Sequence, residues 1–168
     1  MYTVALVRRE SDLRPRFFRC YRSGNAALNL LPQATEFRAK VINVVYPFVL
    51  VWKTHLQTNI QPLLEGYHSG LETGDLEFGA YCAFNYCNLS YWSGKNLATL
   101  VYEMDLYNQS MLQIKQESAR NFHRIFYQAA LNLSTNNTNP ITFKGKVYNE
   151  LEMLPIHSTV GDNYSIGT

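Results

Sequence analysis

The sequence predicts an all-α protein of about six to seven helices, arranged as antiparallel pairs stacked into an α-solenoid. Three observations predict it. Apolar residues recur at helical spacing, glycines and turn formers interrupt them at regular intervals, and the chain matches itself when displaced by 40 residues. With 168 residues and 46% hydrophobic content the chain can form one domain with a real core. Aromatics make up 14% and include 12 tyrosines, so much of the packing must use rings whose hydroxyls stay near water.

Helices are expected at about 17–31, 35–54, 56–73, 76–93, 95–114 and 117–134. Residues 1–16 fit poorly, 17–134 form the repeat domain, and 135–168 hold a loop, a short helix and a truncated end. The second helix contains "VINVVYPFVLVW", too short and too interrupted for a membrane span, and Pro47 is expected to kink it. In the third, Leu63, Leu64, Tyr67 and Leu71 share one face, Pro62 lies near the start and Gly74 marks the stop. Asp75 is placed to cap the fourth with its carboxylate, and Gly79 leaves room for close helix approach. Ser93 and Gly94 end that helix, the fifth runs through Ile114, and the sixth runs from about Glu117 until "STNNTNP" stops it. After Pro140, "TFKGKVYNELEMLP" predicts one more short helix. The closing "TVGDNYSIGT" shows no cap, which for an open solenoid implies a chain cut from something longer.

At the 40-residue displacement Ala27 falls on Tyr67 and Tyr107, Leu31 on Leu71 and Met111, Tyr46 on Tyr86 and Phe126, and Trp52 on Trp92. Helix pairs repeating at this interval define stacked-repeat architectures. "LETGDLEFGAYCAFNY" resembles a tetratricopeptide unit, with a Gly-Asp turn and small residues Gly79, Ala80 and Ala83 where the second helix presses on the first. That resemblance implies a right-handed solenoid, although the family's Trp and Pro positions are missing. The alternative is an irregular helical bundle.

The residues carry no recognisable reaction chemistry. "SGKN" around Gly94 lacks the spacing of a phosphate-binding loop. Cys82 and Cys87 point to different sides of a helix and read as buried small residues. The four histidines lack metal-ligand spacing, and His123, between Phe122 and Phe126, reads as a boundary residue of its helix. Glu72, Asp75 and Glu77 cluster at a helix junction, and Glu103 with Asp105 reads as a solvated face. No catalytic, cofactor-binding or metal-binding residue is assigned. Tyr46, Tyr86, Tyr91 and Trp92 are candidates for an interaction groove, since exposed aromatics anchor bound partners, with core packing the alternative for such repeat-matched positions.

A net charge of +2, with Lys and Arg read as scattered from Arg8 to Lys146, argues against a nucleic-acid partner. No apolar run reaches membrane-span length, so no membrane partner is expected. The N-terminus lacks the regions of a signal peptide and three cysteines fit a reducing compartment, so the cytoplasm is the expected location.

"PLLEGYHSGLETGDLEFGAYCAFNYCNLSYWSGKNL", "ALNLLPQATEFRAKVINVVYPFVLVW", "LATLVYEMDLYNQSMLQIKQESARNFHRIFYQAALNL" and "YNELEMLPIH" together resemble one family. It is the helical-repeat region of cyanobacterial-type multidomain signalling proteins that combine a serine/threonine kinase, an AAA-type ATPase, a GAF sensor and a histidine kinase. The resemblance implies a non-catalytic scaffold segment. ATP and all chemistry would belong to flanking domains, and the partners would be those domains or other proteins. The alternatives are a small stand-alone enzyme, with a pocket lined by His123, Glu103 and Cys87, or a non-functional fragment.

Overall fold

A computed structural model describes the backbone of residues 10–134 and 141–160, with side chains over 16–134 and 141–155. It contains α1 (Glu10–Leu30), α2 (Arg38–Phe48), α3 (Ile60–Thr73), α4 (Leu76–Trp92), α5 (Leu97–Gln113), α6 (Glu117–Ser134) and α7 (Glu150–Val160). Among the described residues the sole β feature is an isolated bridge between Lys144 and Asn149. The fold is all-α, as the apolar spacing predicts.

One expected element breaks into pieces. In place of a helix over 35–54 the chain makes a 3-10 turn (Thr35–Phe37), then α2, then a second 3-10 turn (Leu50–Trp52). Pro47 sits in the last turn of α2, where it has no amide hydrogen to donate and its ring crowds the preceding turn. The helix stops one residue later, so the proline terminates rather than kinks. Another 3-10 turn, Leu56–Asn59, leads into α3, and Pro62 occupies its first turn, where no helical donor is lost.

The cap expected from Asp75 also differs. Its carboxylate makes no capping bond, and only its backbone carbonyl accepts, from the Gly79 N–H at 3.0 Å. With φ −81° and ψ 63° the residue lacks the extended backbone that aims a capping side chain at the first-turn amides. Asn96 does cap α5, its Oδ1 accepting from the Thr99 N–H at 3.2 Å.

α4 and α5 end in the same way. After α4, Gly94 is left-handed at φ +78°, the Lys95 N–H donates to Ser90 O at 3.1 Å, and the Gly94 N–H donates to Tyr91 O at 3.2 Å. After α5 the left-handed position holds Lys115 at φ +57°, with Gln116 N–H donating to Met111 O at 2.9 Å. A side chain there costs energy that glycine avoids. Lys115→Gly is therefore expected to raise stability by about 1 kcal/mol, read as a higher urea midpoint at unchanged slope.

Close approach of α3 and α4 rests on paired glycines. A Cβ added to Gly70 would lie 2.6 Å from Gly79 Cα and 2.9 Å from Asp75 O. The backbones therefore touch where Gly79 was expected to admit a neighbour. Leu63, Leu100, Met104 and Met111 are completely buried around this hairpin, each contributing roughly 2 kcal/mol of burial.

Burial repeats along α2 with the turn that follows it, α4 and α6. Ala39, Gly79 and Ala119 are buried, as are Asn43, Ala83 and His123, then Pro47, Cys87 and Tyr127, then Leu50, Ser90 and Ala130. Each set is spaced by 40, and the sets follow at helical intervals. Residues about one interval apart also touch: Cys82 donates to Ala39 O at 3.4 Å, Asn85 Nδ2 to Asn43 Oδ1 at 2.9 Å, and the Phe84 and Phe126 rings lie 5.9 Å apart.

The outer side of α6 is covered by the chain that follows it. Arg124 Nε donates to Val147 O at 2.6 Å, Gln128 Oε1 accepts from the Val147 and Tyr148 amides at 3.3 Å, and Asn132 Nδ2 donates to Thr142 O at 3.1 Å. These side chains, four residues apart, form a polar stripe that satisfies the backbone of 142–148. The sequence reading missed this covering segment; "TVGDNYSIGT" lies mostly outside the described residues.

Candidate functional site

The four aromatic candidates fall in three different places. Tyr46 lines a cleft of about 310 Å³ with Leu28, Pro32, Arg38, Ile42 and Glu65, between α1, α2 and α3. Burial pushes the pKa of its phenol up, with Glu65 adding to the effect and Arg38 opposing it.

Tyr86 is buried inside a network. Its hydroxyl donates to Glu103 Oε2 at 3.2 Å, and Lys95 Nζ reaches Glu103 Oε2 at 2.6 Å, Glu103 Oε1 at 2.7 Å and Tyr86 Oη at 3.1 Å. Lys95 is positioned by the left-handed turn at Gly94, and Glu103 by the first turns of α5. Tyr107 stacks edge-on against both Tyr86 and Tyr67, at 5.6 and 5.3 Å, and the Tyr67 hydroxyl pairs with Ser110 Oγ at 2.7 Å. Burial pushes the phenols of Tyr86 and Tyr107 up, so both stay neutral hydrogen-bonding groups. This network joins α3, α4 and α5.

Tyr91 and Trp92 close α4, their rings edge-on at 5.1 Å. They line a cleft of about 360 Å³ with Ile125, Phe126, Ala129 and Phe143, and Trp92 is 63% exposed. The walls are apolar or small. Of these partners only Phe126 carried a signal in the sequence, through its match to Tyr46 and Tyr86; Phe143 carried none.

Of the three residues named for an alternative catalytic pocket, Glu103 is held in the Tyr86–Lys95 network, while His123 and Cys87 are sealed in the core. His123 is no boundary residue: it is completely buried, with Nε2 2.8 Å from Met104 O. A carbonyl can only accept, so Nε2 holds the proton and Nδ1 is bare, with no hydrogen-bond partner. Burial first, and Arg120 in addition, lower the His123 pKa to about 4, against the opposing bond to Met104 O. Cys82 and Cys87 are equally sealed, and burial pushes the Cys82 thiol up to about 12 and Cys87 well above its usual range. Among the described residues no group of three His, Cys, Asp or Glu side chains is placed to hold a metal ion. No helix among them is long and apolar enough to cross a membrane.

Fold and clefts together define an all-α protein with an aromatic cleft lined by α4, α6 and the segment after α6. No family model, curated protein or solved structure matches the chain.

Proposed function

We propose that the chain is a helical-repeat interaction module, stacked as a tetratricopeptide-like solenoid, that binds an apolar segment of a partner protein or of a neighbouring domain. The observation that carries it is the cleft at Tyr91, Trp92, Ile125 and Phe126, where an indole stays exposed beside an apolar wall. Apolar pockets next to an exposed Trp are where binding energy concentrates in protein complexes. The 40-residue recurrence of burial, with contacts between residues about one interval apart, supports stacking of like units. Membership in a multidomain signalling kinase, with ATP chemistry in flanking domains, rests on the family resemblance alone.

Selection from a displayed random-peptide library tests the proposal. Binders rich in apolar residues are expected, and Trp92→Ala should weaken them by about 10-fold or more while Leu30→Ala does not. Failure to enrich any binder, or binders indifferent to Trp92→Ala and Phe126→Ala, would overturn the reading. No ATP turnover is expected from the purified chain, checked by phosphate release.

A further inference from the structure

Two helices on different parts of the surface carry exposed apolar stripes of opposite electrostatic character. On α2 and the turn after it, Lys40, Val44, Phe48 and Trp52 succeed one another at intervals of four, with Phe48 60% and Trp52 73% exposed. Residues 38–53 contain Arg38, Lys40 and Lys53 and no carboxylate. Arg38 is paired with Glu65, whereas Lys40 rests 4.9 Å over the Phe78 ring and Lys53 4.7 Å over Tyr21 and 5.0 Å over Phe18. The nearest acid along the chain is Glu36, one turn before Lys40.

On α5, Tyr102 and Leu106 are four apart and 66% and 47% exposed. Residues 97–113 contain Glu103 and Asp105 and no Lys or Arg. Glu103 is neutralised by Lys95, while Asp105 accepts from Gln109 Nε2 at 2.6 Å and the Tyr127 hydroxyl at 3.2 Å and has no Lys or Arg paired with it among the described residues. The wider charge distribution follows the same division, which corrects the reading of scattered charge. Nine of the fifteen basic residues but only three of the thirteen acidic ones lie in the first 53 positions.

We propose that these stripes bind each other between copies of this chain, the α2 stripe of one copy seating on the α5 stripe of the next. Like stripes repel and unlike stripes attract, so the contact is head-to-tail rather than two-fold. A head-to-tail pair leaves one α2 stripe and one α5 stripe unused, so assembly continues with concentration unless it closes into a ring. Both surfaces are narrow, which places the association in the weak range. The proposal does not depend on what occupies the Trp92 cleft.

Sedimentation equilibrium on the full chain, from micromolar to submillimolar concentration, is the test. The average mass is expected to rise above the 19.4 kDa monomer, and less so at high salt. Trp52→Glu and Tyr102→Arg, checked for unchanged helicity, should each remain monomeric. Mixed in equal amounts they should form a dimer and nothing larger, because each retains the stripe the other lacks. Phe48→Glu with Leu106→Arg repeats the experiment at neighbouring positions if either first variant fails to fold. A chain that stays monomeric throughout, or that associates equally well with both substitutions, would overturn the proposal. So would a monomer whose Trp52 directs it onto phosphatidylserine vesicles, which would assign the α2 stripe to an anionic lipid surface.

Discussion

Gly70→Ala is expected to destabilise the protein by about 3 kcal/mol, lowering the thermal midpoint by roughly 10 °C. On an open helix the same change would be favourable by about 0.5–1 kcal/mol, because alanine loses less backbone entropy than glycine on folding. Here the new methyl would meet Gly79 Cα at 2.6 Å and Asp75 O at 2.9 Å. Both are backbone atoms, so neither can turn away as a side chain can. α3 and α4 must separate, loosening contacts around Leu63 and Ala80, both completely buried. Gly79→Ala is the graded control: its added carbon would stand 3.2 Å from Gly70 Cα, a smaller intrusion, and its cost should be smaller. Chemical unfolding of the two variants decides this; equal stability to the parent at Gly70 would show that the helices do not meet through their backbones.

The second large effect is at His123. The folded protein holds the ring neutral, with Nε2–H on Met104 O, and protonation would place a charge on a buried Nδ1 that has no acceptor. Its pKa falls from the ordinary 6.5 to about 4, chiefly through burial. Between these values the unfolded chain binds a proton that the folded chain does not. The histidine's contribution is therefore complete above about pH 6.5 and disappears as the pH falls toward 4, a loss of about 3 kcal/mol. Urea midpoints measured from pH 7 to pH 4 should show that slope. His123→Gln keeps a donor for Met104 O and cannot titrate, so this part of the slope should vanish in it. A slope that survives unchanged would place the acid sensitivity in other groups.

His123 also shows why part of the structure was hidden in the sequence. Eighty and forty residues earlier stand Asn43 and Ala83, and nothing local marks the histidine as interior. Its burial is set by where α5 lies against α6, and its hydrogen bond reaches a carbonyl 19 residues away. The same limit applies to the clefts. Tyr91 and Trp92 could be nominated as aromatic residues at the end of a helix, but Ile125, Ala129 and Phe143 join them only through the packing of α4, α6 and the segment after α6. Tyr46 and Tyr86 matched each other at the 40-residue displacement and yet serve different neighbourhoods, one in a cleft beside Arg38 and the other in the Lys95–Glu103 network.

What the sequence by itself determined is the all-α class, the order of the helices and most of their limits. Those follow from forces acting within a few residues: apolar spacing of 3.6, glycine's freedom at the left-handed turn after α4, and the missing amide of Pro62 at the start of α3. It also contained the 40-residue interval, at which buried positions recur along α2, α4 and α6. Tertiary structure alone decided that His123 would meet Met104 O, that Cys82 would meet Ala39 O, and that Arg124, Gln128 and Asn132 would hold the 142–148 segment. Each of these depends on which backbone groups arrive from distant parts of the chain, and hydrogen bonds and close packing operate only once those groups are within about 3–4 Å.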